Sequence, residues 1–216
     1  SLGYQAYIFN GFKSVTSDEN GILTGGLLGG ANGLRGGRQK GIESTINSPN
    51  LSLKFDYYGL PGLRLGLSGY FGKTQAPDDI DMIDGADVGL SMIGLDARGQ
   101  YIIANISGSK EYNALTGQNL GSQLSGYYIE GAYNLLPSQN AQKLFAFARY
   151  ENYDTHAKVD AISENLGYDR TDITLGVTYH LTSGVVAKAD YQFKDNAALS
   201  SKDVPNQLNF GLGVWF

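Results

Sequence analysis

The sequence predicts an all-β protein, specifically an antiparallel up-and-down transmembrane β-barrel of about ten strands, and three observations support this. Apolar and polar residues alternate with a period of two along most of the chain. The 216 residues include 30 Gly and 15 Tyr, both of which are poor helix formers. Short connections alternate with long ones, which is typical of a barrel with tight turns on one rim and long loops on the other.

The predicted strands follow from the alternation, which is clearest near the C-terminus. Leu208, Phe210 and Leu212 fall on one face of the last strand, whereas the residues between them are asparagine or glycine. No segment has a convincing helical period. The predicted strands cover residues 2–11, 50–58, 63–72, 89–97, 100–109, 122–135, 143–152, 171–181, 185–194 and 206–216.

The connections between these strands indicate a single domain over residues 1–216. One rim of the predicted barrel carries the tight turns and the other carries the long loops. Because each tight turn is followed by a long link, consecutive strands are predicted to run up and down in chain order. The predicted turns lie near 60–62, 98–100, 137–141 and 182–184, and the predicted long loops are 12–49, 73–88, 110–121, 153–170 and 195–205.

The loop 12–49 is rich in glycine over residues 25–37, with Arg35, Arg38 and Lys40 nearby. Three interpretations fit this composition: a solvated basic loop, a nest of backbone amides that binds an anion, and a loop folded into the barrel lumen. A second unusual loop holds Asp residues between 78 and 87. It is predicted to be a solvated acidic loop, and a weak divalent-cation site is the alternative.

Composition excludes several classes of protein. A net charge of −5 argues against a nucleic-acid partner, because phosphate binding needs a basic face. With no Cys and two His, a disulfide framework, a thiolate site and a multi-histidine metal site are not predicted. No apolar run reaches the 18 residues of a membrane-spanning helix, while a mean hydropathy of −0.22 suits strands that alternate lipid-facing and lumen-facing residues.

Charged residues recur in the middle of predicted strands, at positions that alternate with apolar neighbours. Each Lys or Arg that faced lipid near mid-bilayer would cost about 2–4 kcal/mol, so these side chains are predicted to face the lumen and line a pore. Six positive and six negative charges predict weak ion selectivity, and the alternative is a salt-bridged, closed interior. The set is Lys54, Asp56, Arg64, Asp96, Arg98, Glu130, Arg149, Glu151, Asp172, Lys188, Asp190 and Lys194.

No catalytic residue, metal site or cofactor is predicted, and the chain is not predicted to be an enzyme. The segment 69–74 ends like a phosphate-binding loop, with Gly72, Lys73 and Thr74. Leu67 stands where that motif needs a glycine, and the segment leaves a strand for a loop rather than for a helix. The glycines therefore indicate a strand end.

The final strand, residues 209–216, resembles the C-terminal signature of bacterial outer-membrane barrels, in which alternating apolar residues precede a terminal aromatic. Segments 4–12, 55–63 and 147–151 look like parts of the C-terminal half of general or phosphate-selective porins. The resemblance implies a location in the bacterial outer membrane, where the insertion machinery reads Phe216 as an assembly signal. Removing Phe216, or changing it to Asp, is expected to impair assembly more than conduction.

The same resemblance implies a porin, in which small hydrophilic solutes or ions diffuse passively through a water-filled barrel. The alternative is a structural or interaction barrel with a closed lumen, whose outer loops bind a partner protein or ligand. Porins of this kind have more strands than ten, so the chain is predicted to be either a complete ten-stranded barrel or the C-terminal part of a larger one. A ten-stranded barrel has a narrow interior, whereas 16 strands leave an aqueous channel.

The expected partners follow from this location. They are the lipid bilayer of the outer membrane and, during assembly, the insertion machinery. No nucleic-acid partner is expected. Assembly into a homo-oligomer or a multiprotein complex is left open by the sequence.

Overall fold

One large antiparallel sheet dominates the computed structural model. The structure describes residues 1–41, 44, 46, 48–74, 84–88, 90–92, 97–136, 140–198 and 204–215, and over 84–92 it describes the backbone alone. The prediction of an all-β, antiparallel fold is confirmed. The strands are β1 Leu2–Asn10, β2 Val15–Ser17, β3 Leu23–Gly26, β4 Pro49–Leu60, β5 Leu63–Phe71, β6 Asp84–Val88, β7 Leu90–Met92, β8 Ala97–Asn105, β9 Gln123–Asn134, β10 Lys143–Lys158, β11 Asp169–Thr182, β12 Val185–Asn196 and β13 Gln207–Val214.

The large sheet follows the chain in an up-and-down order. Ten strands pair in the succession β1-β4-β5-β6-β8-β9-β10-β11-β12-β13, with the short β7 beside β5. The strands β2 and β3 form a separate two-stranded sheet. Within the described part of the chain, β1 and β13 are not paired with each other, so they form the two edges of the sheet.

The period of two in the sequence becomes a division between two faces of this sheet, because successive side chains of a strand point to opposite sides. Between β10 and β11, Tyr150 lies opposite Ile173, while the next pair is Arg149 and Thr174. The face that carries Tyr150 is called the apolar face, and the face that carries Arg149 is called the charged face. The registers of the other pairs continue the same division.

The apolar face is not covered by other described parts of the chain. Ile129 is 64% exposed and Phe210 is 78% exposed. The buried apolar core lies elsewhere, and it joins the segment after β1 to the links beyond β8. Leu124, which belongs to the charged face, packs against this core. The core consists of Val15, Leu28, Ile106, Tyr112 and Leu120.

Several predicted connections differ from the structure. The loop predicted over 110–121 contains the helix α1, Ser109–Thr116, which is bounded by Gly108 and Gly117 with φ of 74° and 69°. At eight residues, α1 is too short to show a clear helical period. The loop predicted over 12–49 contains β2 and β3. The loop predicted over 153–170 is shorter, because β10 continues to Lys158 and β11 begins at Asp169.

The turn predicted at 98–100 is also wrong. These residues lie inside β8, where Gly99 pairs with Ile129, so this glycine belongs to a strand and not to a turn. The strands predicted at 89–97 and 100–109 correspond in part to β7 and β8, and residues 89 and 93–96 lie outside the described residues. The loop predicted over 73–88 contains β6. Tight links fall as predicted between β4 and β5 and between β11 and β12. The link between β9 and β10 includes residues 137–139, which lie outside the described residues.

Candidate functional site

The charged face gathers the side chains that the sequence singled out. All the described members of the predicted pore-lining set fall on this face by strand register, from Lys54 in β4 to Lys194 in β12. Asp96 and the proposed assembly signal Phe216 lie outside the described residues. That the set lines a pore stays a prediction, while its common face is a property of the fold.

A first ion-pair cluster joins β4 and β5. Lys54 Nζ lies 3.4 Å from Asp56 Oδ2, and Arg64 Nε lies 3.9 Å from Asp56 Oδ1. Asp56 is buried, because the two longer side chains extend over it. The Asp56 carboxylate therefore forms ion pairs with two cations at this end of the sheet.

A second cluster spans β8, β9 and β10. Arg98 Nε lies 2.9 Å from Glu130 Oε1, and Arg149 Nε lies 2.6 Å from Glu151 Oε2. Glu130 stands between both arginines in register, since it is the backbone partner of Arg98 on one side and of Arg149 on the other. The guanidinium carbon of Arg149 is 4.1 Å from the ring centroid of Tyr128, a cation-π contact that fixes its position.

The charges of β11 and β12 are paired mainly with polar groups. Asp172 lies opposite Lys194 in register, while Lys194 Nζ donates a hydrogen bond to Gln207 Oε1 at 2.8 Å. Asp190 Oδ1 accepts a hydrogen bond of 2.8 Å from Asn209 Nδ2. The strands β11 and β12 are therefore less tightly bridged by ion pairs than β8 to β10.

Cations and anions differ in their exposure on this face. Of the five described acids of the predicted set, three are buried, namely Asp56, Glu130 and Asp172. None of the six cations of that set is buried, and Arg98 is the clearest case, with 61% of its side chain exposed beside a Glu130 side chain at 11%. The long Lys and Arg side chains reach above the shorter carboxylates. The outermost layer of these side chains is therefore mainly cationic, although the formal charges of the set nearly balance.

A long segment after β1 folds over the same face. This inward segment, residues 11–41, includes the β2–β3 hairpin and a single 3₁₀ turn at 35–37. Its apex is held against the charged face, since Arg170 Nη1 donates to the Ala31 carbonyl at 3.0 Å and the Thr155 hydroxyl donates to the Gly30 carbonyl. Gly33 has a φ of 54° and packs beside Leu124 and Thr155. The segment therefore lies across the charged face, and a position inside a barrel lumen stays a prediction.

The hydroxyl of Tyr112 in α1 anchors the inward segment. It accepts a hydrogen bond of 2.9 Å from the Leu28 N–H and lies 3.0 Å from the carbonyl oxygens of Ser14 and Leu28, to which it donates. Tyr112 is fully buried. Burial raises the pKa of its phenol above the ordinary value, and the hydrogen bonds to the inward segment oppose this rise.

A buried histidine holds the link between β10 and β11. His156 Nε2 lies 2.6 Å from the Asn119 carbonyl oxygen, and His156 Nδ1 accepts from the Asn165 N–H at 3.2 Å. The Tyr168 ring packs edge-on against it at 4.7 Å. A Cβ at Gly30 would collide with both rings, which explains why the apex of the inward segment is glycine.

Sequence reasoning did not identify Tyr112 or His156 as anchors of the inward segment. The clustering of glycine over 25–37 was a usable signal, because closely packed backbone requires residues without a Cβ. The glycine cluster could not reveal the partners of the segment, which lie about 80 to 140 residues further along the chain.

Tyr112→Phe is expected to lower the free energy of unfolding by about 1–3 kcal/mol, because it leaves the buried Leu28 N–H without its acceptor. Thermal unfolding followed by circular dichroism measures the change, with Tyr133→Phe as the control on the exposed apolar face. Equal stabilities of the two variants would contradict an anchoring role for the Tyr112 hydroxyl.

The described residues also bear on metal binding and on helices that cross a membrane. Groups of three or more His, Cys, Asp or Glu that could hold a metal ion are absent among them. No helix in this part of the chain has the length and apolar character needed to cross a bilayer.

Comparison with known proteins identifies a distant relative. No protein-family model matches the chain, and no solved structure matches it. An uncharacterized protein of Aquifex aeolicus (strain VF5) is 25% identical to this chain in an alignment of 218 residues. The match covers 94% of this chain and 48% of that protein. The chain thus spans about half the length of this relative.

Proposed function

We propose that the protein is an outer-membrane porin through which small hydrophilic solutes or ions diffuse passively. The observation that carries the proposal is the two-faced sheet, in which charges gather on one side and large exposed apolar side chains on the other. A soluble protein rarely exposes a contiguous apolar surface of this extent. Strands in a bilayer require it, with the charged face turned toward a water-filled lumen.

The position of aromatic residues supports a membrane location. Tyr57 and Tyr133 are exposed on the apolar face, close to the C-terminal ends of β4 and β9. Aromatic side chains favour the boundary between lipid and water at both rims of a membrane barrel. The tight links then lie at the periplasmic rim and the inward segment enters from the outer rim.

The unpaired edges favour a barrel that contains further strands. The edge strands β1 and β13 are the first and last of ten strands that alternate in direction, so they run in opposite directions. An antiparallel barrel needs an even total of strands, and an even number of added strands therefore closes the sheet. The Aquifex relative is about twice as long as the matched region, which leaves room for such strands. A larger barrel also accommodates the inward segment and leaves an aqueous path.

Cysteines placed one on each edge strand test this closure in the complete protein. With Gln5→Cys in β1 and Asn209→Cys in β13, a short bifunctional thiol reagent is expected to give no crosslink within one chain. Gln192→Cys with Gln207→Cys, which are register partners, is the positive control. An efficient Gln5–Asn209 crosslink within one chain would show that ten strands close by themselves, and one between chains would show closure by a second copy.

The inward segment and the exposed cations shape the proposed solute path. The segment narrows the lumen because it is anchored to strands β10 and β11 on the charged face. The exposed Arg and Lys layer favours small anions over cations of the same size. The proposed preference for anions is modest, because the formal charges of the set balance.

Planar-bilayer recording of the complete protein tests the proposed function. Stable steps of conductance with a reversal potential displaced toward anions are the expected result. One observation favours the alternative of a closed structural barrel, namely the buried core between the inward segment and α1. Insertion without conductance would support that alternative and contradict the porin.

A further inference from the structure

An aromatic cavity lies on the charged face, where the inward segment leaves and returns to the sheet. Its volume is about 460 Å³, which suits a small organic molecule. The two ends of the segment are tied together beside it, because Gln39 Nε2 donates to the Gly11 carbonyl at 2.8 Å. The lining residues are Phe9, Asn10, Gly11, Phe12, Arg38, Gln39, Gly41, Ser44 and Tyr70.

Three aromatic rings form the apolar part of this cavity. The Tyr70 ring lies 5.7 Å from that of Phe9 and 5.8 Å from that of Phe12, in tilted contacts. All three side chains are partly exposed. Rings clustered in this way offer flat surfaces to a ring of a solute.

The polar side of the cavity is cationic. Arg38 lines it and is exposed, and residues 29–41 carry Arg35, Arg38 and Lys40 with no acidic residue. A guanidinium binds a carboxylate through paired, charge-assisted hydrogen bonds. The cavity therefore combines a surface for a ring with a group that binds an anion.

We propose that this cavity binds a ring-bearing organic carboxylate. The ring packs on Phe9, Phe12 and Tyr70, and the carboxylate binds the Arg38 guanidinium. The inference rests on the proposed function in one respect, since a solute reaches the cavity through the channel. Binding itself needs no conduction. An aromatic acid and a sugar acid share the required chemistry.

Calorimetric titration of the complete chain, folded in detergent micelles, tests the proposal with benzoate, glucuronate, acetate and glucose as probes. Saturable binding of one molecule of benzoate or glucuronate per chain is expected, and the tighter of the two identifies the ring type. Acetate lacks the ring and glucose lacks the charge, so both are expected to bind at least tenfold more weakly. Failure of both ring-bearing carboxylates to bind would overturn the proposal, as would acetate binding as tightly as they do.

Matched variants separate the cavity from general charge attraction. Arg38→Gln is expected to weaken binding about tenfold, whereas Arg35→Gln, three residues away and outside the cavity lining, leaves binding unchanged. Phe12→Leu keeps an apolar side chain but removes a ring, and it is expected to weaken benzoate binding severalfold. Equal losses in the two arginine variants would overturn the assignment. Conductance without binding contradicts this inference alone, and binding without conductance contradicts the porin alone.

Discussion

Replacing Leu175 by arginine is expected to prevent most of the protein from folding into lipid bilayers. Leu175 lies near the middle of β11 on the apolar face, where it is 48% exposed. An arginine that faces lipid at mid-bilayer costs about 2–4 kcal/mol, a large share of the stability of a typical domain. The folded fraction after dilution from urea into phospholipid vesicles, read by gel mobility, measures the effect.

The control for this prediction is an arginine introduced on the opposite, charged face. Gln192 lies in β12, on the charged face and next to Thr174 in register, so Gln192→Arg turns the new charge toward the lumen. Its folded fraction is expected to match that of the unmutated protein. If both arginine variants folded equally well in vesicles, the apolar face would not face lipid.

Changing Arg149 to glutamate is expected to move the reversal potential strongly toward cations. The Arg149 guanidinium lies against Tyr128 and pairs with Glu151, and Glu130 is its register partner on β9. The substitution removes the cation paired with Glu151 and adds a third carboxylate beside Glu151 and Glu130. Local charge on the charged face therefore becomes strongly negative at the level of β8 to β10.

The Arg149→Lys variant serves as the control, because it keeps the charge but not the guanidinium geometry. Its reversal potential is expected to stay close to that of the unmutated channel. The measurement uses a salt gradient across a planar bilayer. An unchanged reversal potential for Arg149→Glu in an open channel would show that Arg149 does not border the path of the ions.

The division of the sheet into two faces could be predicted because strand geometry imposes a strict period of two. Arg149 and Glu151 alternate with Tyr150, and no knowledge of neighbouring strands is needed to place them on the same side. The ion pairs within the set could not be predicted. Glu130 is the register partner of Arg149 but pairs with Arg98, a choice that depends on side-chain reach as well as on register.

The connections were the least predictable part of the fold. Glycine at position 99 suggested a turn, yet it lies inside β8, because a single glycine does not distinguish a turn from a strand interior. The helix α1 has two turns and positive-φ glycines at both ends, with no sequence period to reveal it. The inward segment depends on contacts with Tyr112 and Arg170, which are remote in sequence.

Labelling of single cysteines tests the central claim, that the apolar face meets lipid and the charged face meets water. These 216 residues contain no Cys, so each introduced thiol is the only one in this part of the protein. Cysteines at Val177 and Tyr191 represent the apolar face, and those at Thr178 and Gln192 represent the charged face. With the complete protein in vesicles, a membrane-impermeant maleimide is expected to label positions 178 and 192 and to leave positions 177 and 191 unmodified. Equal labelling of all four positions would contradict a membrane-embedded sheet with a water-filled interior.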